Sequence, residues 1–312
     1  MGMRFALLVV LLSVGAAAAR ADYPDRLITF IVPLQVGGGG DATSRLLVPF
    51  LERHLGGARI AVINKPGAGG LVAWNDLANA RPDGYTIGLA ILPGMVTGAI
   101  ERQTRYTIDS FTMLGNVSTD PTSISVLKTS PYRTLTDLID AAKQRPGQLT
   151  LGVPRLGSPH GIASRLFLEA AGIEVNLVPL GDGGPTRTAL LGGHVPAAAI
   201  SLGAVAQHRD RLTVLGQMAE ERSPHGASVP TFIEQGVDLS FGVHRAVVGP
   251  AGMPAEVVAT LRAAVADAVR DPDFAAAART QQLPVEYIDG SDLARLVRGQ
   301  DRRFRVLWRT DP

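Results

Sequence analysis

Leu27-Ile28-Thr29-Phe30-Ile31-Val32-Pro33, followed by Leu34-Gln35-Val36-Gly37-Gly38-Gly39-Gly40-Asp41, is the stretch whose reading decides the fold. Leu27 to Val32 is β-rich and almost wholly apolar, as expected of a strand covered on both faces of a parallel sheet. Pro33 ends it, four glycines follow, and Asp41 stands where a helix N-cap is expected. From Ala42 to Leu55 the apolar residues Leu46, Leu47, Phe50, Leu51 and Leu55 recur at helical spacing. The segment therefore reads as strand, glycine loop, helix.

The unit repeats outward. Ile60 to Ile63 reads as a strand, Pro66 to Gly70 as a glycine-rich turn, Leu71 to Ala80 as a helix and Tyr85 to Ile91 as a third strand. Such alternation predicts a parallel α/β sheet. Beyond Phe111 a second run begins. It places strands at Ser123 to Lys128, Leu149 to Val153 and Val175 to Pro179, and helices at Leu135 to Lys143, Ile162 to Ala171 and Thr186 to Gly192. Strands at Val195 to Ile200, Leu212 to Met218 and Val243 to Val248 follow, and then helical periodicity over Glu256 to Arg270 and Ser291 to Trp308. These last helices have no strand of their own to cover, so they are expected to pack back on the first lobe. At 312 residues the chain fits two α/β lobes. The expected division is a leader over 1–21, a first lobe over 22–122 and 246–312, and a second lobe over 123–245.

With 46% hydrophobic residues against 19% charged, the chain has the apolar content for a sizeable core. Met1 to Ala21 has the layout of a secretory signal: a basic start ending at Arg4, an apolar run from Phe5 to Val14, and Ala19-Arg20-Ala21 as a small-x-small cleavage site. Cleavage after Ala21 removes Arg4 and Arg20, which lowers the count from 30 basic against 28 acidic residues to 28 against 28. A neutral mature chain offers no global charge for nucleic acid or an anionic membrane. There is no cysteine, hence no disulfide, thiol nucleophile or thiolate metal site. A periplasmic location follows if the source is a Gram-negative bacterium.

The strongest chemical signal is Gly37 to Asp41. Glycines admit a ligand close to the backbone, and free N–H groups at a helix start favour anions. Gly37, Gly39 and Ala42 also match a dinucleotide fingerprint. That reading requires an acidic residue after the next strand, where Asn64 and Lys65 stand instead. No G-x-S-x-G elbow exists; Ser158 and His160 suit capping or ligand contact better than the nucleophile and base of a secreted hydrolase. The histidines at 54, 160, 194, 208, 225 and 244 include no pair at helix-face metal spacing, and no metal or cofactor is expected. Three post-strand loops, Gly37 to Asp41, Arg155 to His160 and Gly181 to Pro185, would line a cleft between lobes, joined by His244 and Arg245. Arg155, Arg187 and Arg245 are candidates to fork a carboxylate, with Arg187 weakest because it falls inside a helix.

The sequence resembles the extracytoplasmic solute receptors of tripartite tricarboxylate transporters, the Bug or TctC-like family. The likeness runs from about Tyr23 to the end. In order it comprises Tyr23-Pro24, Ile31-Val32-Pro33 with Gly37-Gly38-Gly39 and Asp41, Asn64-Lys65-Pro66-Gly67-Ala68-Gly69-Gly70, and Pro82-Asp83-Gly84-Tyr85-Thr86. Pro146-Gly147-Gln148-Leu149, Leu190-Leu191-Gly192-Gly193, Val229-Pro230-Thr231 and Pro250-Ala251-Gly252-Met253-Pro254 complete it. The resemblance implies a two-lobed, type II flytrap binding-protein fold, each lobe a mostly parallel sheet flanked by helices. It implies a receptor without enzymatic activity that captures a small organic carboxylate and delivers it to a membrane permease, or presents it to a sensor kinase. A monomer is expected.

Carried over residue by residue, the resemblance places the ligand against Gln35, Val36, Gly37, Gly38, Gly39, Gly40 and Asp41 of the first loop. Gly157, Ser158, Pro159 and His160 form the second loop, and His244 and Arg245 the crossover, where the family often has Trp-Arg-Gly. Gly40 stands where Thr or Ser is usual, Val153-Pro154-Arg155 replaces a small polar run, and Leu180-Gly181-Asp182 replaces a stretch commonly begun by Tyr. Asp182 adds a negative charge expected to favour a ligand bearing an amine or hydroxyl beside its carboxylate.

Overall fold

Residues 23–309, apart from 103 and 207, are described by a computed structural model; the expected leader Met1 to Ala21 and its cleavage site lie outside the described residues. The chain opens with β1 (Ile28–Val32), α1 (Gly39–His54), β2 (Ile60–Asn64), α2 (Leu71–Ala78), β3 (Thr86–Leu92) and α3 (Gly94–Glu101). A long β4 (Phe111–Leu127) leads into α4 (Leu135–Gln144), β5 (Thr150–Val153), α5 (Pro159–Ala171), β6 (Asn176–Pro179), α6 (Gly183–Leu191), β7 (Ala197–Ser201), α7 (Leu202–Ala206) and β8 (Leu212–Gln217). The return is β9 (Gly242–Pro250), α8 (Ala255–Arg270), α9 (Pro272–Thr280) and α10 (Gly290–Arg309).

The strands run in the order β2-β1-β3-β9-β4-β7-β5-β6, with β8 also on β4. In the first half β1 pairs in parallel with β2 and β3, whereas β9 joins β3 and β4 antiparallel. In the second half β5 pairs in parallel with β6 and β7, while β7 and β8 flank β4 antiparallel. The strand β4 belongs to both halves. Phe111 to Pro121 pair with β9, and from Thr122 onward the partners are β7 and, from Ser123, β8.

Successive residues of β1 enter different cores, as a strand buried on both faces requires. Phe30 packs with Leu47 and Leu51 of α1, Leu261 and Val265 of α8 and Phe274 of α9. Ile31 faces the other way, toward Trp74 and Leu77 of α2, Met95 and Val96 of α3 and Phe304 of α10. The carboxyl-terminal helices thus cover the first sheet, α8 against α1 and α10 against α3. In the second half Leu138, Leu151, Ile162 and Phe167 fill one face, and Leu190, Val195, Ile200, Val205 and Leu212 the other.

Three helices begin about one turn earlier than their apolar periodicity indicates. Those starts are Gly39 rather than Ala42, Pro159 rather than Ile162 and Gly183 rather than Thr186. Each first turn is built of Gly, Pro and polar residues, which carry no apolar signal. The N-cap of α1 is therefore Gly38, and Asp41 lies within the first turn instead of capping it. The helices α3, α7 and α9 were not expected at all. The strand expected at Ser123 to Lys128 is the end of the 17-residue β4.

Candidate functional site

The first glycine loop is held by Asp41. Its carboxylate accepts from the Gly37 backbone N–H at 2.8 Å, from Arg45 Nε at 2.9 Å and from Asn64 Nδ2 at 2.9 Å. These donors and the Arg45 charge outweigh burial, the largest single influence, and hold the Asp41 pKa below its ordinary value. Asp41 is thus turned inward to brace the loop. Three of the four glycines have different causes. Gly37 has φ +80°; a side chain on Gly40 would meet Leu34 Cδ1 at 2.8 Å and Leu89 Cδ2 at 3.0 Å; one on Gly39 would face Arg245 Nη2 at 3.7 Å. Only Gly39 of these four lines the cleft pocket, beside Ala42 and Thr43. The first-turn N–H groups of α1 have no intrahelical acceptor, and no side chain caps them.

That pocket holds about 210 Å³ between the two halves of the molecule. Gly39, Ala42 and Thr43 come from the first half, Gly203 and Ala204 from the second, Asp120 and Arg245 from the paired strands β4 and β9 between them, and Gln281 to Pro284 close the rim. Arg245 lies on β9 opposite Ser118 of β4, so the pleat puts Arg245, Ser118 and Asp120 on one face. Its Nη1 is buried and has no hydrogen-bond partner in the protein. His244, one residue earlier, points to the opposite face, where Nδ1 meets Thr119 Oγ1 at 2.9 Å. Strand alternation thus separates the two crossover residues, and only Arg245 reaches the pocket.

Asp120 is 6% exposed. Its Oδ1 accepts from the Gly203 N–H at 3.2 Å. Burial pushes its pKa up, against the opposing pull of Arg245, the Gly203 N–H and Ser201. Arg245 is near enough to act on that carboxylate, yet no ion pair joins them.

The second loop is organised by Ser158, which caps α5: its Oγ accepts from the Gly161 N–H at 3.1 Å and donates to the Arg155 carbonyl at 2.7 Å. Pro159 occupies the first helical turn. His160 bridges Thr122 Oγ1 through Nδ1 at 2.9 Å and Ser201 Oγ through Nε2 at 3.2 Å. Burial first, and the Arg245 charge second, lower its pKa to about 4, and burial likewise lowers His244 to about 4. Both rings are neutral at pH 7, which leaves Arg245 as the cation lining the pocket. Gly157 admits Glu101 of α3: a Cβ at 157 would lie 2.5 Å from Glu101 Oε1.

Gln35 and Val36 do not line the pocket; Val36 is an exposed apolar side chain, and Gln35 offers its carbonyl to the Gly38 N–H. Asp182 and Arg155 form a solvated pair at 3.6 Å, their side chains 79% and 62% exposed. Neither lines the pocket. Asp120, Thr43, Ser201 and Gly203 were missed by the sequence reading.

Gly161 is fixed by close approach. A Cβ there would lie 2.1 Å from the Arg155 carbonyl oxygen and 2.4 Å from that of Leu156. Gly161→Ala is expected to cost about 1–3 kcal/mol or more, because the obstacle is backbone. Urea unfolding checks this; a midpoint equal to that of the unmodified protein would show that the loop does not lie against α5 as described.

Comparison with known proteins agrees with this geometry. The family model described as Tripartite tricarboxylate transporter family receptor, TctC, matches residues 45–310. Protein BugT of Bordetella pertussis is 30% identical over 273 residues, covering 82% of this chain and 80% of its own. Among solved structures, a TctC solute binding protein from Polaromonas superposes with TM-score 0.82 at 30% identity, covering 91% of this chain and 97% of that one. The R. palustris protein Rpa4515 with adipate gives 0.75 at 28% identity, with coverages of 93% and 98%. MatC from Rhodopseudomonas palustris with bound malate gives 0.71 at 25%, with coverages of 91% and 99%. The matched family model, the two-lobed periplasmic binding-protein fold and these likenesses over most of the chain place it in the TctC receptor family, as a solute-binding receptor and not an enzyme.

Proposed function

We propose that this receptor works in the periplasm, captures a small organic carboxylate in the pocket between its lobes, and hands it to the permease of a tripartite transporter. The observation that carries the reading is the Arg245 guanidinium, which lines a pocket shared with the first turn of α1 and whose buried Nη1 has no partner in the protein. A guanidinium presents forked donors that match a carboxylate, and the helix start adds N–H groups and a favourable dipole. Adipate and malate in two structural relatives support the same class of ligand. The lobes are taken as 22–122 with 246–312, and 123–245. The change of partner in β4 after Pro121 and the start of β9 at Gly242 support crossings near those positions. The receptor acts as a monomer, and Met1 to Ala21 directs its export.

A thermal-shift screen of the mature chain against mono-, di- and tricarboxylates tests this reading. At 100 times its Kd a ligand stabilises by about 2.7 kcal/mol, which moves Tm by about 4–5 °C for a chain of this size. A shift confined to carboxylates is expected. Shifts from neutral or cationic solutes alone would overturn the proposal.

A further inference from the structure

We propose that Asp120 reads a hydrogen-bond donor on the ligand, so that the pocket selects carboxylates bearing a hydroxyl or ammonium group over plain carboxylates of the same length. The inference rests on the carboxylate reading of the same pocket and adds the chemistry of the ligand's second group. Asp120 and Arg245 line one pocket from the same face of the adjacent strands β4 and β9, without pairing with each other. A carboxylate offers about four lone-pair sites. Among the described residues, one backbone donor, the Gly203 N–H, lies within hydrogen-bond distance of Asp120, and the Ser201 hydroxyl adds a weaker pull. Accepting capacity therefore remains on a group that borders the cavity.

A buried carboxylate without a salt-bridge partner is unfavourable for folding. A ligand that places its own carboxylate on Arg245 and a donor on Asp120 satisfies both groups at once. A plain dicarboxylate would instead bring its second negative charge toward Asp120. The expected role of Asp182 passes to Asp120, because Asp182 is solvated and paired with Arg155 away from the pocket.

The test measures Kd by calorimetry for succinate, malate and aspartate on the mature protein, on Asp120→Asn and on Asp120→Ala. Asparagine retains an oxygen for the Gly203 N–H, and thermal melts of both variants establish that they fold. The wild-type chain is expected to bind malate or aspartate about tenfold or more tighter than succinate, the effect of one hydrogen bond to a charged group. In both variants that ratio is expected to fall toward one, through weaker malate or aspartate binding and unchanged or tighter succinate binding. Equal affinity of the wild-type chain for all three, or a ratio that survives both variants, overturns the role of Asp120 while leaving the carboxylate reading intact. Binding of none of the three likewise overturns the role of Asp120, and overturns the carboxylate reading as well where the thermal-shift screen responds to neutral or cationic solutes alone.

Discussion

Replacing Arg245 by glutamine is expected to weaken carboxylate binding by about 30-fold or more, the effect of removing one partner of a buried, hydrogen-bonded charge pair. In the ligand-free protein Arg245 Nη1 has no partner to lose, so Tm without ligand should stay the same or rise. Arg245→Lys keeps the charge but loses the planar fork, and should recover only part of the affinity. Calorimetry with the best carboxylate, alongside thermal melts of each variant, separates the outcomes. Full affinity in Arg245→Gln would remove this residue from the site, and a large fall in ligand-free Tm would make its role structural.

Acidification is expected to destabilise the fold well before the carboxylates titrate. His160 and His244 are buried as neutral rings, and each pKa is lowered from 6.5 to about 4. A depressed folded-state pKa means that the unfolded chain binds more protons between these values. The stabilisation is fully present above pH 6.5 and is lost as the pH falls toward about 4. Each ring accounts for about 3 kcal/mol across that window, a large share of the roughly 5–15 kcal/mol of a typical domain. Asp120 works in the opposite direction, since its raised folded-state pKa favours the fold as the pH falls. Urea midpoints measured from pH 7 to pH 4 should therefore decline. His244→Gln, lying off the pocket face, should flatten that decline without altering ligand affinity at pH 7. A flat profile in the unmodified protein would contradict neutral burial of these rings.

The legible parts of the molecule were those where apolar periodicity and glycine punctuation agree. From Leu27 to Leu55 the strand, loop and helix follow directly from spacing, and Phe30 and Ile31 enter opposite cores as a doubly covered strand demands. The strand β4 was hidden for the converse reason. Its buried residues include Asn116, Ser118, Asp120, Thr122, Ser123 and Ser125, and Pro121 interrupts it where its partner changes from β9 to β7. Neither an alternating nor a continuous apolar pattern exists there to read. Asp120 was missed with it, although an acidic residue inside a buried strand is the kind of signal that marks a site.

Residues with conspicuous chemistry were placed less well than the fold. Asp41 looked like a cap and proved to be a brace, because donors on Gly37, on Arg45 one turn along α1 and on Asn64 converge on it. Asp182 drew notice by its charge, but the start of α6 presents it to solvent. His244 and Arg245 were both expected at the cleft, and the pleat puts only Arg245 on its face.

The most direct test is the crystal structure of the mature chain with the tightest-binding carboxylate from the screen. The account predicts a carboxylate oxygen within hydrogen-bond distance of the Arg245 guanidinium, with the ligand's donor group against Asp120. A ligand seated elsewhere, such as the neighbouring hollow lined by Arg209, His225 and Arg279, with Arg245 left uncontacted, would contradict it.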